Sequence, residues 1–300
     1  MTDSKPISQT SSLVGLQLGD YQILRRLGHG GMSVVYLAEQ QSLKRRVAFK
    51  VLKSELAKDT TYVRRFHKEA QAAASLVHAN IVQIYEVGEQ EGIHYIVQEY
   101  VPGQNLAQYI RRHSSVSVPL SIVILKQVAA ALHRAGDQGI THRDIKPENI
   151  MLSTSGEVKV ADFGLARVTS GEHHVETTQI GITMGTPLYM SPEQAEGGAI
   201  DPRSDIYSLG VTGYHMLAGR PPFEGDTALS VAVQHLKRIP DPVSSVRPAI
   251  PQALCDLIMK MLEKQPEQRI QKAIELQKHL RSIPVTISDD QWPDDLEHID

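Results

Sequence analysis

Short apolar runs dominate the first hundred residues. YQILRRLG, VVYLAEQ and RRVAFKVLK are branched and aromatic runs separated by turn-like or basic segments, which predicts three antiparallel strands. TTYVRRFHKEAQAAASL places Tyr62, Phe66, Glu69, Ala73 and Leu76 at steps of three and four, one face of a helix with Glu69 on it. NIVQIYEVG and IHYIVQEYV read as two further strands before VPGQN. Beyond Pro102 and Gly103 the texture turns helical: LAQYIRRH is a short helix, and PLSIVILKQVAAALHRAGDQG a long apolar one opening at Pro119. NIML and EVKVAD are strand-like pieces around the turn STSG, followed by a long loop from about Gly164 to Pro192 that is either functional or mobile. SDIYSLGVTGYHMLAG, TALSVAVQHLK, PQALCDLIMKMLEK and QKAIELQKHLRSI complete a helical half. Residues 1 to about 18, rich in Ser, Thr and Gln, read as a flexible arm, and the stretch from 284 to 300 as an acidic tail without a clear period.

Composition adds exclusions. The 300 residues carry 41% hydrophobic and 22% charged side chains, ordinary for a soluble globular protein. A net charge of -3 gives no global pull toward nucleic acid or an anionic membrane, so no nucleic-acid partner is expected. The single cysteine, Cys255, makes neither an internal disulfide nor a zinc cluster, and it sits among apolar residues at helical spacing; a core thiol in a reducing, cytoplasmic compartment is expected. No secretory signal is visible at the N-terminus. The longest apolar stretches, SIVIL and QVAAAL, are interrupted by Lys126 and His133, so no membrane span is expected.

Several groups could carry chemistry. LGHGGMSVVYLA sets Gly28, Gly30 and Gly31 between two candidate strands, where bare backbone approaches phosphate oxygens closely. Taken alone, such a hairpin is at least as often a plain turn. A strand rather than a helix follows the glycines, which argues against a dinucleotide fold, and the Gly-Lys-Ser/Thr of a Walker loop is absent. Lys50 in VAFKVL is either a solvated strand lysine or an inward cation in need of an anion, for which Glu69 is the natural candidate. THRDIKPENIML supplies Asp144, Lys146 and Asn149, and ADFG supplies Asp162. Two acids and a carboxamide can hold Mg²⁺ and orient a hydroxyl, while a lysine neutralises developing phosphate charge.

The glycine loop, VAFK, the helix glutamate, HRDIKPEN, DFG and SPE follow one another in the order and approximate spacing of the protein-kinase signature set. Over about residues 21 to 281 the chain resembles the serine/threonine protein kinases, and GGMS and MSPEQA are similar to the bacterial Hanks-type (eukaryotic-like) branch. This resemblance implies an α+β, bilobal kinase fold: a small antiparallel-sheet lobe with one key helix, and a larger, mainly helical lobe. The implied organisation is an arm (1–18), a kinase domain (19–283) and the tail (284–300). Within the domain the small lobe covers about 19–101, the hinge about 99–104 and the large lobe about 105–283.

The resemblance also implies roles. Leu27, Gly28, Gly30, Val35 and Ala48 would cover the phosphates and adenine of ATP from above, with Met151 as the floor and Glu99 and Val101 as hinge contacts. Ser33 stands where a third glycine is usual, and Gln98 would be the gatekeeper. Lys50, paired with Glu69, would grip the α- and β-phosphates; Asp144 would be the catalytic base, Lys146 would steady the γ-phosphoryl group, and Asn149 with Asp162 would hold Mg²⁺. Glu193 would pair with Arg269, and Asp205 would brace the catalytic loop. Arg143 before Asp144 implies control by a phosphate on the activation loop, with Thr177 and Thr178 as the sites. Implied partners are proteins with Ser or Thr acceptors, and a homodimer through the small lobe is known in the resembling branch. A pseudokinase scaffold or a small-molecule phosphotransferase would share the fold; against the former, Lys50, Asp144 and Asp162 are all present.

Overall fold

Strands make up most of the first of two units in the computed structural model, which describes residues 13–163, 187–284 and 292–296. This unit comprises Met1–Ala74 and Gln83–Tyr100; the second comprises Ser75–Val82 and Val101–Asp300. Its strands are β1 (Gln17–Leu18), β2 (Tyr21–His29), β3 (Ser33–Gln40), β4 (Arg45–Leu52), β5 (Ile84–Gln90) and β6 (Ile93–Glu99). They form one antiparallel sheet in the order β1-β2-β3-β4-β6-β5. Alternation along each strand gives the sheet two apolar faces. One buries Tyr36, Val47, Phe49, Tyr95 and Val97, with the Phe49 and Tyr95 rings stacked at 4.7 Å. On the other, Leu52 and Ile96 pack with Phe66 and Ala70 of α2 (Thr60–Ala74), which follows the short α1 (Ser54–Ala57). The predicted helical stripe is thus observed at Phe66 and Ala73, both buried.

Two expectations are corrected in this unit. Residues 13–18 are not part of a flexible arm: Leu13 and Leu18 are buried in the same cluster as Tyr21, and Gly15 N–H donates to Ile23 O at 2.9 Å. Leu13, Leu16 and Leu18 supply apolar area that the polar count around them obscured. The run NIVQIYEVG is also not one strand, because β5 begins only at Ile84. Ile81 instead bridges Val160, and Val82 N–H donates to Val160 O at 3.0 Å, both within the second unit.

The second unit holds a small sheet of β7 (Gly103–Asn105), β8 (Ile150–Ser153) and β9 (Val158–Val160). Its helices are α3 (Leu106–His113), α4 (Val118–Asp137), α5 (Pro192–Glu196), α6 (Pro202–Ala218), α7 (Ala228–Lys237), α8 (Val243–Val246), α9 (Gln252–Met261) and α10 (Ala273–Ser282). Local signals set their starts: Asn105, Ser191 and Thr227 each form a reciprocal capping box, and Ser117 caps α4. Among the described residues α4 is the one helix long and apolar enough to cross a membrane. Here it is the central core helix, with Ile122, Ile124, Leu125 and Val128 buried and α6 and α10 against it. Residues 292–296 are not a loose tail, since Leu296 is buried and Trp292 Nε1 donates to Ser153 O at 2.8 Å.

Gly103 fixes how β7 enters this sheet. Its φ is 140°, and a Cβ there would land on the Leu152 carbonyl oxygen and crowd the Ser153 Cα. The strand backbone cannot yield, being paired to Gly103 and Gln104. Gly103→Ala is therefore expected to cost at least ~2 kcal/mol in a denaturant melt, whereas Gly92→Ala, at φ 77° with open space around it, is expected to cost less.

Candidate active site

Residues 141–149 are held mainly through their backbone. Asp205, in the first turn of α6, accepts the His142 amide on one carboxylate oxygen and the Arg143 amide on the other, each at 2.7 Å. Burial pushes the Asp205 carboxyl up, against the pull of the two amides and of the Arg143 charge; one amide on each oxygen is the arrangement that suits a carboxylate. His142 ties the loop to the strand beyond. Its Nδ1 accepts the Asp144 amide at 3.2 Å, and its Nε2 faces the Ala161 carbonyl at 2.9 Å. A ring between an N–H and a C=O is the neutral tautomer with hydrogen on Nε2. Phe163 packs edge-on against it at 4.5 Å.

Three of the predicted residues meet here. Asp144 Oδ2 lies 2.8 Å from Lys146 Nζ and accepts from Asn149 Nδ2 at 3.0 Å; the same amide nitrogen donates to the Asp144 carbonyl at 2.8 Å. Both amide hydrogens being directed at Asp144, the carboxamide oxygen of Asn149 faces the other way. The Asn149 carbonyl accepts the Ala161 amide at 2.8 Å, which fixes the residue before Asp162. Arg143 and Asp162 have φ of 69° and 61°, left-handed values rare outside glycine. Such strain persists only where surrounding contacts over-determine it, and it clusters at functional sites. Met151 stands on β8 opposite Asn105 and Lys159.

Most of the remaining predicted residues lie on the first unit. There Gly28 pairs with Val35, Val35 with Lys50, Leu37 with Ala48, and Ala48 with Gln98. Cross-strand partners share a face, so Val35, Ala48 and Lys50 lie on the α2 side of the sheet. Lys50 is 4% exposed. Leu27 precedes Gly28 on β2, and Gly30 N–H closes the turn by donating to Ser33 O at 2.8 Å. Glu99 ends β6 with its amide on Gln83 O, and the boundary between the units falls at Tyr100 and Val101, inside the predicted hinge. Glu69 lies on α2, but its side chain is outside the described residues. Thr177 and Thr178 are outside them too.

Anchors beneath the loop complete the unit. Arg269 and Glu193 form a two-pronged ion pair, Nη1 to Oε1 and Nη2 to Oε2, both 2.7 Å. Nε and the remaining hydrogens of Arg269 go to the carbonyls of Glu263, Arg203 and Lys264. Ser204 Oγ donates to Glu193 at 2.6 Å. Burial alone would raise the Glu193 carboxyl, but the Arg269 fork and the Ser204 hydroxyl outweigh it and hold it below its usual range.

Several participants carry no signal in a motif reading. Gln194 Nε2 donates to the Arg143 carbonyl at 2.8 Å. The segment 187–190 hangs on two histidines: Tyr189 OH meets His215 Nδ1 at 2.7 Å, and His235 Nε2 meets the Leu188 carbonyl at 3.1 Å. His235 Nδ1 in turn faces Tyr207 OH at 3.0 Å, which receives Lys264 Nζ at 3.3 Å. Burial lowers Lys264 to about 8, with Arg269 adding to the shift.

Burial drives both histidines down to about 4, and for His235 the Lys264 charge adds to the effect. The unfolded chain takes up these protons near pH 6.5 while the folded one does not. Stability is therefore complete above pH 6.5 and falls as pH drops toward 4. For the fully buried His235 the loss is ~2 kcal/mol by pH 5 and ~3 kcal/mol by pH 4. Urea melts of wild type and His235→Gln at pH 7 and pH 5 read this out. The variant is expected to lose less between the two values, and an equal loss would refute it.

Known proteins resemble this chain. The family model described as the protein kinase domain matches residues 21–280. Among curated proteins, serine/threonine-protein kinase PrkC of Bacillus subtilis is 41% identical over 271 residues, covering 90% of this chain and 41% of that protein. Serine/threonine-protein kinase PknB of Mycobacterium tuberculosis is 42% identical over 264 residues, covering 87% and 42% respectively. The chain thus spans about two fifths of the length of these relatives. Among solved structures, the PknI kinase domain of Mycobacterium tuberculosis aligns with a TM-score of 0.71 at 27% identity, covering 90% of this chain and 99% of that one.

Proposed function

Since this chain belongs to the protein kinase family, we propose that it transfers the γ-phosphoryl group of ATP to serine or threonine hydroxyls of proteins. The observation that carries this is the loop 142–149, in which one carboxylate, one lysine and one carboxamide converge on a backbone clamped by Asp205. Asp144 orients the acceptor hydroxyl and takes its proton as the oxygen attacks phosphorus. Lys146, 2.8 Å from that carboxylate, neutralises charge developing on the transferred group. To Lys50 we assign the α- and β-phosphates, and to Glu69 the role of its partner in the active state. No covalent intermediate with the protein is involved.

Mg²⁺ is the metal we assign to Asn149 and Asp162, where it would neutralise the phosphate oxygens. The outward-facing Asn149 carboxamide oxygen and the Asp162 carboxylate are hard oxygen donors and fit it. Among the described residues no cluster of three or more His, Cys, Asp or Glu side chains could hold an ion by itself. That suits a metal shared between two protein ligands and the phosphates.

The position of Arg143 directly before Asp144 supports the reading that phosphorylation at Thr177 or Thr178 raises activity. The free, buried Cys255 supports a reducing, cytoplasmic setting. Incubation with γ-labelled ATP, Mg²⁺ and a basic protein substrate tests the main reading, and absence of transfer to the substrate or to the chain itself would overturn it. Phosphopeptide mapping of the active protein tests the loop, and finding both threonines unmodified would sink that part.

A further inference from the structure

Residues 292–296, Trp-Pro-Asp-Asp-Leu, are seated on the rest of the second unit through Trp292, Asp295 and Leu296. The Trp292 indole donates to Ser153 O at 2.8 Å, at the end of β8. Arg112 grips Asp295 twice, Nη1 on its carbonyl at 2.9 Å and Nη2 on its carboxylate at 3.0 Å. His113 Nε2 adds a third contact to Asp295, the second to its carboxylate, at 3.1 Å. Its Nδ1 faces the Tyr109 carbonyl at 3.1 Å, and its ring stacks on Tyr109 at 4.2 Å. Leu296 is 1% exposed, so the contact has an apolar anchor as well as a polar rim.

The place of this contact gives it a consequence. Ser153 is the register partner of Gly103, the first residue of β7. From there the chain runs through the Asn105 cap into α3, whose last turn carries Arg112 and His113. The seated segment therefore touches the 112–113 end of that stretch directly and reaches its 103 end through Ser153. Next to that stretch is Val101, and paired with it through Asn105 is Met151, both assigned to adenine.

We propose that the α3–β8 face is a peptide-docking site whose occupant is the chain's own Trp292–Leu296 segment, and that occupancy holds residues 101–105 in the geometry that binds nucleotide. The second clause rests on the ATP-binding reading above; the first does not. Trp292 is the only tryptophan of the chain, so its fluorescence reports docking independently of any catalysis. In the full chain, wild type is expected to show a blue-shifted, weakly acrylamide-quenched indole. Arg112→Ala and Asp295→Ala, both at partly exposed side chains, are expected to shift emission to the red and raise quenching toward that of a free indole. Their KM for ATP is expected to rise at least about fivefold with kcat unchanged.

A wild-type indole quenched as strongly as in the urea-unfolded chain overturns docking, as does a spectrum unmoved by either substitution. Undocking without a change in KM overturns the coupling. A wild-type chain that docks its tryptophan but binds no ATP overturns the ATP reading and with it the coupling, and leaves the docking site standing.

Discussion

Replacing Asp144 with Asn is expected to lower phosphoryl transfer by roughly 10²- to 10⁴-fold, the share usually supplied by a positioned base, and to leave the fold intact. The substitution is nearly isosteric, and a carboxamide oxygen can still accept the hydrogen bond from Asn149 now at 3.0 Å. An amide can neither take the proton of an attacking hydroxyl nor balance the charge of Lys146 at 2.8 Å. The backbone around it depends on other groups, since the amides of His142 and Arg143 remain on Asp205. Single-turnover transfer from labelled ATP, with a thermal melt and a nucleotide titration alongside, separates chemistry from folding. A variant that retains more than about a tenth of the wild-type rate, below the smallest loss expected of a missing base, would show that the proton goes elsewhere.

Arg269→Ala is expected to destabilise the second unit by ~3–5 kcal/mol, enough to leave much of it unfolded at moderate temperature. All five guanidinium hydrogens are engaged, two on Glu193 and three on the carbonyls of Glu263, Arg203 and Lys264. Removing the guanidinium leaves a buried carboxylate facing a cavity, with Ser204 as its remaining donor. The charge then has to be protonated or hydrated, and each route costs free energy. Arg269→Lys restores the charge without the fork and is expected to recover only part of the loss. Urea melts followed by circular dichroism measure this; a loss under ~1 kcal/mol, the size of an exposed pair, would remove the ion pair from the supports of the fold. Asp144→Asn and Arg269→Ala would thus both inactivate, one with a normal melt and the other without.

Much of the site was legible because its chemistry is local in sequence. Asp144, Lys146 and Asn149 lie within one turn of loop, so their convergence needs only a tight backbone, which the Pro147–Asn149 turn provides. Strands β2 to β4 and helices α3, α4 and α7 likewise announce themselves through short-range periodicity and capping residues. What was not legible depends on distant partners. Nothing in the texture around Leu13 says that three leucines in a polar stretch will cover the edge of a sheet. Ile81 and Val82 look like the start of β5, and only pairing with Val160 separates them from it. His215 and His235 read as ordinary helix histidines, because the carbonyl and phenol they meet lie 47 and 26 residues away in sequence. The seat of Trp292 depends on a carbonyl 139 residues earlier.

Arg143 is gripped on both sides of its Cα, its N–H by Asp205 and its C=O by Gln194. Asp205, at the inner end, is a buried charge on the long helix α6. Gln194, at the outer end, is a neutral amide on the five-residue α5. Gln194 is nonetheless a firm support, because its neighbour Glu193 on the same α5 is locked by the Arg269 fork and the Ser204 hydroxyl. The backbone that aims Asp144 is thus tied on one side to α6 directly and on the other, through α5, to the buried ion pair, so the residues that keep this unit folded are also those that hold the carboxylate in register.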